Sequence, residues 1–377
     1  MVNLTHDELA EITPTSFPPA SPEALQDMRS KACASSQGGF TLQSHQRFLR
    51  RVLSPDAPLR SALVVHGTGT GKTCTAIQVA EEYILRPEFQ DQKVLIVASA
   101  AVQENFRDQI FDMSRVKVTE GGLLESRQCT GRRYLEMLQR IEQDPKNWSN
   151  AEVRDRLERT ADRIISEFYE FTAYASFGNR INEMEALGPA KFTEWVHETF
   201  DNRLLIIDEA HNIRPKADIG SEKAITAALE RLVKTADGLV LVLLTATPMY
   251  ESYDEIMLYF NLFLWNERRQ PLTKALAAST FFDTSAELKE GPARDTFLGY
   301  CQDYISYVKG ENPFTFPFRL PPPKSVSPRP TKTWTGEAYA TPLQYLTLVD
   351  TPATGLQASI LQKEKGRDEE DKRRLLM

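Results

Sequence analysis

The chain has 377 residues, of which 41% are hydrophobic and 26% charged, a balance typical of a globular protein with a sizeable core. The formal net charge of −7 excludes a uniformly basic nucleic-acid-binding protein, so any nucleic-acid surface must be a local groove. No apolar run reaches the roughly 18 residues of a membrane span, and the N-terminus lacks the basic and apolar regions of a signal peptide. We therefore expect a protein that is not secreted and has no membrane partner.

The cysteines favour a reducing compartment. Four are present, and they are far apart in the sequence, without a C-x-x-C pair or a nearby pair of histidines: Cys33, Cys74, Cys129 and Cys301. This spacing predicts neither a zinc site nor a disulfide framework, and it indicates a cytoplasmic or similar location.

Apolar runs that alternate with helical patterns predict a parallel sheet after an N-terminal arm. Residues 1–39 are rich in Pro, Ser and Ala and predict a mobile arm. A helix is expected at "LQSHQRFLRRVL" and a strand at "SALVV". The later apolar runs "KVLIVAS", "RLLIIDEAH" and "GLVLVLLTATP" are typical of strands buried on both faces, and "KAITAALERLVKTA" is typical of a helix. This alternation predicts an α/β domain over residues 40–270, with helices on both faces of the sheet.

A long helical section is expected within that domain, at about residues 106–200. One face of its central helix carries apolar side chains, namely Val153, Leu157, Ile164, Ile165 and Phe168. The remaining surface interleaves acids with Arg154, Arg156, Arg159 and Arg163. We interpret that surface as a solvated, salt-bridged face, with a nucleic-acid contact as the alternative.

The composition changes towards the C-terminus. Residues 271–332 predict a helical extension followed by the strap "ENPFTFPFRLPPPKSVSPRPTK", which holds too many prolines for a helix or a central strand. Residues 333–377 predict either the incomplete start of a second domain or a charged tail.

The stretch "LVVHGTGTGKT" predicts a phosphate-binding loop between a strand and a helix. The candidate ATP-binding residues are Gly67, Thr68, Gly69, Thr70, Gly71, Lys72 and Thr73. Glycines let the backbone wrap around phosphate, Lys72 would neutralise the β- and γ-phosphates, and the Thr73 hydroxyl would bind Mg²⁺. His66 stands where the strict pattern has glycine, and we expect Gly67 to supply the backbone freedom instead.

Two later strand ends carry candidate catalytic and coupling groups. In "LLIIDEAH", Asp208 would hold Mg²⁺ through water, and Glu209 would act as the general base for the attacking water. His211 is a candidate for coupling this site to its neighbours. In "LLTATPMY", Thr245 and Thr247 are candidates for relaying the state of the γ-phosphate through hydrogen bonds.

The motifs "GTGTGKT", "DEAH" and "TAT", in this order, resemble the first RecA-like domain of superfamily 2 helicases and translocases. The phrases "LLIIDEAHNIR", "LTATPMYESYDEI" with "FNLF", and "ISYVKGENPFTFPFRLPP" resemble the DEAH-type helicases of nucleocytoplasmic large DNA viruses. That group includes the poxvirus-type NTPase and the early-transcription-factor ATPase. The resemblance runs over roughly residues 40–323, and it implies ATP, Mg²⁺, a nucleic-acid partner and a role in viral transcription, in the cytoplasm or the virion.

The resemblance also assigns residues by position. It implies that Gln46 reads adenine, with an exposed helical glutamine as the alternative. It implies nucleic-acid backbone contacts from Ser99 and Gln103 after the second strand. It adds Thr172 and Tyr174 in "FYEFTAYASF", for which core packing of the tyrosine is the alternative.

A superfamily 2 motor has a second RecA-like domain, whose arginines complete the phosphate site. Here the only similar sequence, "QKEKGR", lies in a charged stretch and has the wrong spacing. We therefore expect this chain, from a truncated or split gene, to carry only the first of the two RecA-like domains. It would then need a protein partner for full ATP hydrolysis. The alternative is a non-catalytic ATP-binding scaffold in a virion or transcription complex. A P-loop kinase or GTPase is disfavoured, because neither class supplies D-E-A-H with T-A-T.

Overall fold

A computed structural model describes residues 42–308, apart from residues 68, 90–91, 120–122, 127, 214–219 and 250–251, together with Ala338. Residues 42–308 belong to one compact unit, Met1–Phe316, and Ala338 belongs to another, Pro317–Met377. The predicted arm (residues 1–39), the proline-rich strap, most of residues 333–377, and Thr68 all lie outside the described residues.

The main element is a six-stranded sheet in the order β5-β2-β6-β7-β1-β8. Every pairing within it is parallel. Its strands are β1 (Ser61–His66), β2 (Val94–Val97), β5 (Tyr169–Thr172), β6 (Leu204–Ile207), β7 (Val240–Thr245) and β8 (Ile305–Val308). Two short strands, β3 (Val116–Val118) and β4 (Leu124–Ser126), form a separate antiparallel pair. The predicted α/β, RecA-like fold is confirmed.

Helices cover both faces of the sheet because its strands are apolar on both sides. In the described chain the α-helices are α1 (Ser44–Val52), α2 (Lys72–Ile84), α3 (Ala100–Ile110), α4 (Arg133–Gln139), α5 (Ala151–Phe168), α6 (Tyr174–Ala186), α7 (Pro189–Phe200), α8 (Gly220–Thr235), α9 (Glu255–Asn266) and α10 (Pro292–Tyr304). None of these helices combines the length and the apolarity that a membrane crossing requires.

The two cores follow the alternation of side chains along the strands. Val64 and Ile206 point to one face, where they pack with the apolar sides of α1 to α5. Leu63 and Ile207 point to the other face, where they pack with α6 to α10. The chain thus covers one face with the helices before β5 and the other face with the helices after it.

Helix α5 has an apolar and a polar surface, as predicted. Leu157 and Ile165 are buried in the first core, with Val153, Ile164 and Phe168 packed against it. On the polar surface, the guanidinium of Arg156 pairs with Glu142, and that of Arg159 pairs with Asp155. Arg154 instead donates to the backbone carbonyls of Trp148 and Met113, and the nucleic-acid alternative for this face is not tested.

Four strands were missed by the sequence analysis, namely the antiparallel pair β3 and β4 and the edge strands β5 and β8. The section expected to be helical contains β5, which pairs with β2 at one edge of the sheet. The extension expected after residue 270 ends in β8, which pairs with β1 at the other edge. Strands β5 and β8 each directly follow a helix, so no turn residue in the sequence separates them from it.

The prediction that the cysteines remain unpaired is wrong for two of them. Cys74 in α2 and Cys129 before α4 form a disulfide, with 5.4 Å between their Cα atoms. They are 55 residues apart in the sequence, so only the fold brings them together. The cysteine spacing therefore no longer supports a reducing compartment.

Candidate active site

The candidate site lies at the carboxyl end of the sheet, where β1, β7 and β6 are neighbours. The glycine-rich loop follows β1, Asp208 and Glu209 follow β6, and Thr245 ends β7 between them. Because parallel strands bring their carboxyl ends to one edge, three stretches separated in the sequence meet at one cleft.

The phosphate loop requires glycine at two positions. Gly69 has φ +78° and Gly71 has φ +81°, a left-handed conformation that side chains with a Cβ atom rarely adopt. A Cβ atom on Gly71 would also lie 2.6 Å from Nε2 of Gln46. Gly67 is not among the glycines with positive φ, so the expectation that it supplies the turn is wrong.

His66 ends β1 and attaches the loop to the last strand. Its ring is fully buried, and Nε2 lies 3.0 Å from Oγ of Ser306 in β8. The next amide, that of Gly67, donates to the carbonyl of Val308 at 3.0 Å. His66 therefore acts as a strand residue, and the loop turns further along the chain.

Helix α1 holds the loop from the other side. The side-chain amide of Gln46 donates to the carbonyl of Gly71 at 3.2 Å and accepts from the backbone N–H of Gln43 at 2.9 Å. Nε2 of His45 lies 3.1 Å from the carbonyl of Thr70. Gln46 is buried, contrary to the exposed alternative, and its described contacts are with backbone groups. Its reading of adenine stays a prediction.

Lys72 contacts both acidic residues of the next motif. Its Nζ is 3.0 Å from Oε1 of Glu209 and 3.3 Å from Oδ1 of Asp208. Burial raises the pKa of Asp208, against the opposing effect of the Lys72 ammonium. The candidate phosphate-binding cation and the candidate carboxylates thus form one charged cluster.

The coupling candidates also meet. Nδ1 of His211 lies 3.4 Å from Oε2 of Glu209, 3.3 Å from Oγ1 of Thr245 and 3.5 Å from Oγ1 of Thr247. The backbone N–H of Thr247 donates to Oγ1 of Thr245 at 3.1 Å. One ring nitrogen therefore lies between the end of β6 and the end of β7.

A cleft of about 390 Å³ opens over these groups, a volume within the usual range of small-ligand sites. It is lined by His66, Gly67, Gly69, Gly71, Lys72, Thr73, Cys74, Asn105, Gln109, Glu209 and Ala246. Thr73 and the two carboxylates offer hard oxygen donors, which are the ligands that Mg²⁺ prefers. The types of donor at this site are therefore compatible with Mg²⁺.

Residues 40–250, more than half of the chain, match the family described as "Type III restriction enzyme, res subunit". The chain belongs to this family. The family is defined by a helicase domain, so this chain carries a helicase-family nucleotide-binding domain.

The similar proteins come from large DNA viruses. Two belong to Acanthamoeba polyphaga mimivirus, and each is named "Putative ATP-dependent RNA helicase". One is 26% identical over 319 residues, covering 79% of this chain and 25% of its own length. The other is 28% identical over 283 residues, covering 74% and 42%. A "Putative helicase" of Frog virus 3 (isolate Goorha) is 26% identical over 271 residues, covering 71% and 24%. The resemblance to helicases of these viruses is confirmed, and the chain spans less than half the length of each of these three.

The nucleic-acid candidates of this helicase domain lie at the same carboxyl edge. Ser99 follows β2 and is exposed, and Thr172 ends the neighbouring β5. The side-chain amide of Gln103 donates to the carbonyl of Ala98 at 2.8 Å. The Tyr174 hydroxyl donates to the backbone carbonyl of Asp208. These positions stay predictions as nucleic-acid contacts, and the hydroxyl of Tyr174 is directed at the ATP motif.

Three cleft residues were missed by the sequence analysis. Asn105 and Gln109 lie one turn apart on α3, next to the buried Phe106 and Ile110. This spacing of polar residues beside apolar ones was a usable signal, because it marks one face of a helix. For Cys74 the available signal was its position directly after Thr73 of the phosphate loop.

Proposed function

We propose that this chain is the first RecA-like domain of a nucleic-acid-dependent ATPase of the superfamily 2 DEAH type, with a role in viral transcription. One observation carries the proposal: Lys72 of the phosphate loop contacts both Asp208 and Glu209 across the cleft, within 3.3 Å. An intact set of cation and carboxylates at a glycine-rich loop is what phosphoryl transfer to water requires.

The contacts suggest how the residues would act. Phosphate oxygens of ATP in the loop would compete with the two carboxylates for the Lys72 ammonium. Glu209, freed from that contact, would accept a proton from the water that attacks the γ-phosphorus as its bond to ADP breaks. Thr73 and Asp208 would hold Mg²⁺, which neutralises charge on the phosphates. His211 would pass the change at Glu209 on to Thr245 and Thr247.

We propose that full activity needs a second RecA-like domain in trans. None of the described residues that line the cleft is an arginine. An arginine supplied to such a site accelerates phosphoryl transfer by about 10³–10⁵. The chain alone should therefore bind ATP with Mg²⁺ and hydrolyse it slowly. The mimivirus relatives are named as RNA helicases, so we take RNA as the first nucleic acid to test.

The test is ATP binding and turnover by the purified chain, with and without single-stranded RNA or DNA. Lys72→Ala should abolish ATP binding, and Glu209→Gln should preserve binding and lower turnover by about 10²-fold or more, since a general base contributes about that much. The matched controls Lys191→Ala and Glu158→Gln change exposed residues on α7 and α5 and should behave as wild type.

The outcomes separate the alternatives. Turnover lost in both variants supports the ATPase, and stimulation by an added second domain supports completion in trans. Fast turnover by a proven monomer contradicts the need for a partner. ATP binding without turnover under every condition supports the scaffold, and absence of ATP binding overturns the proposed function.

A further inference from the structure

Glu209 adopts a backbone conformation that glutamate rarely takes. Its φ is +47°, in the left-handed region, which a residue with a Cβ atom keeps only when its surroundings enforce it. Among the described residues other than glycine, Asn202, Arg268 and Ala286 also have positive φ. Of these four, Glu209 is the one that lines the cleft. Contacts that hold this conformation therefore bear on the proposed general base.

The peptide group between Asp208 and Glu209 is held at both polar ends. Its N–H, on Glu209, donates to Oδ1 of Asp208 at 2.8 Å. Its carbonyl, on Asp208, accepts from the hydroxyl of Tyr174. The carbonyl of Glu209 itself accepts from the amide of Asn212 at 2.9 Å. The orientation of a peptide plane sets φ of the residue that follows it, so these bonds together fix the backbone of Glu209.

Among the described partners of this peptide, Tyr174 is the one that comes from another element. It is the first residue of α6, two residues after the end of β5, and its ring is half-buried. Burial raises the pKa of Tyr174 to about 12, so the hydroxyl keeps its proton and remains a donor throughout the physiological range. The carbonyl it meets cannot donate, so the direction of this hydrogen bond is fixed.

We propose that Tyr174 is a positioning residue for ATP hydrolysis: its hydroxyl fixes the Asp208–Glu209 peptide and thereby aims the Glu209 carboxylate. This inference rests on the proposed function, in which Glu209 is the general base. The hydroxyl touches neither water nor nucleotide in this assignment, and it acts through the backbone.

The test compares Tyr174→Phe, which removes only the hydroxyl, with the control Tyr300→Phe. Tyr300 is a half-buried tyrosine whose ring packs against Phe260 and Phe281, away from the cleft. A hydrogen bond of about 0.5–1.5 kcal/mol corresponds to a factor of about two to ten. Tyr174→Phe should therefore lower kcat for ATP by about two- to tenfold and leave KM unchanged. Tyr300→Phe should leave both unchanged.

A second readout does not depend on turnover. Amide hydrogen exchange in the nucleotide-free chain should become about threefold faster or more at Glu209 and Asn212 in Tyr174→Phe, with β1 and β7 unchanged. Faster exchange throughout the core would indicate general destabilisation and would overturn the positioning role. Unchanged exchange at Glu209 together with unchanged kcat would also overturn the positioning role. A wild-type chain that does not bind ATP would refute the proposed function, whereas the exchange comparison would still decide whether Tyr174 holds the peptide.

Discussion

His66 occupies a position where the phosphate-loop pattern has glycine, and its surroundings suppress its charge. The ring is fully buried, packs edge-to-face on His45 with centroids 5.0 Å apart, and has no partner for Nδ1 among the described residues. Burial, followed by repulsion from His45 and Lys72, lowers the pKa of His66 to about 3. The residue is therefore neutral in the folded chain, where it packs against His45 and hydrogen-bonds to Ser306.

This buried neutral histidine predicts a loss of stability in mild acid. In the unfolded chain His66 takes up a proton below its ordinary pKa of about 6.5, whereas in the folded chain it does not until about pH 3. The unfolded state thus binds more protons between these values, so the free energy of unfolding must fall as the pH falls. Replacing His66 by Gln, which keeps a polar group near Ser306, should remove this contribution.

Urea unfolding between pH 7.5 and 5 measures the effect. The difference in unfolding free energy between wild type and His66→Gln should shrink as the pH falls, by up to about 1.4 kcal/mol for each pH unit below about 6. His45, whose pKa burial also lowers, is present in both chains and cancels in the comparison. Parallel pH profiles for the two chains would contradict the assignment.

At the scale of elements, Glu81 connects α2 to α4 and to β5. This carboxylate is 6% exposed, binds the guanidinium of Arg133, and accepts from the hydroxyl of Tyr169 at 2.8 Å and that of Tyr134 at 3.4 Å. Helix α2 begins at the phosphate loop, so the same cluster anchors the helix that carries Lys72. The buried carboxylate of Glu81, with its three partners, therefore holds α2, α4 and β5 together.

Glu81→Gln should be strongly destabilising. The amide leaves the Arg133 cation, which is 21% exposed, without its counter-charge, and breaking a buried pair costs about 3–5 kcal/mol. Because Arg133 keeps some access to water, we expect about 2–4 kcal/mol in urea unfolding. The control is Asp155→Asn, which breaks an exposed pair with Arg159 and should change stability little. Equal effects of the two substitutions would show that burial does not matter here.

The sequence predicted the elements whose signals are local. Strands β1, β2, β6 and β7 are continuous apolar runs, and the phosphate loop and "DEAH" have fixed spacing, so these and their meeting at one sheet edge were predictable. The edge strands β5 and β8 are partly exposed and include polar residues, so they are not continuous apolar runs. Asn105 and Gln109 had a usable signal in their spacing on α3, but the hydroxyl of Tyr174 meets the backbone carbonyl of Asp208 only because α6 lies near the end of β6. Pairwise tertiary contacts of this kind have no signature in a single sequence.

At the scale of the whole unit, the Cys74–Cys129 disulfide joins the nucleotide-binding helix to the segment before α4. Cys74 follows Thr73 in the first turn of α2 and lines the cleft. The side-chain amide of Gln78, one turn further along α2, donates to the carbonyl of Cys129. The disulfide and the hydrogen bond thus hold the same segment against α2. Cys301, in α10, is unpaired.

Reduction should therefore loosen the whole unit. A cross-link across 55 residues restricts the unfolded chain, and in the chain-entropy account this stabilises the folded state by about 4 kcal/mol. We expect a thiol reductant to lower the free energy of unfolding of the wild type by up to that amount, with two additional thiols found by alkylation and mass spectrometry. The chain with both Cys74→Ser and Cys129→Ser should not respond to the reductant, whereas Cys301→Ser should respond as the wild type does. A wild type whose stability is the same with and without reductant would show that the cross-link contributes nothing to the fold.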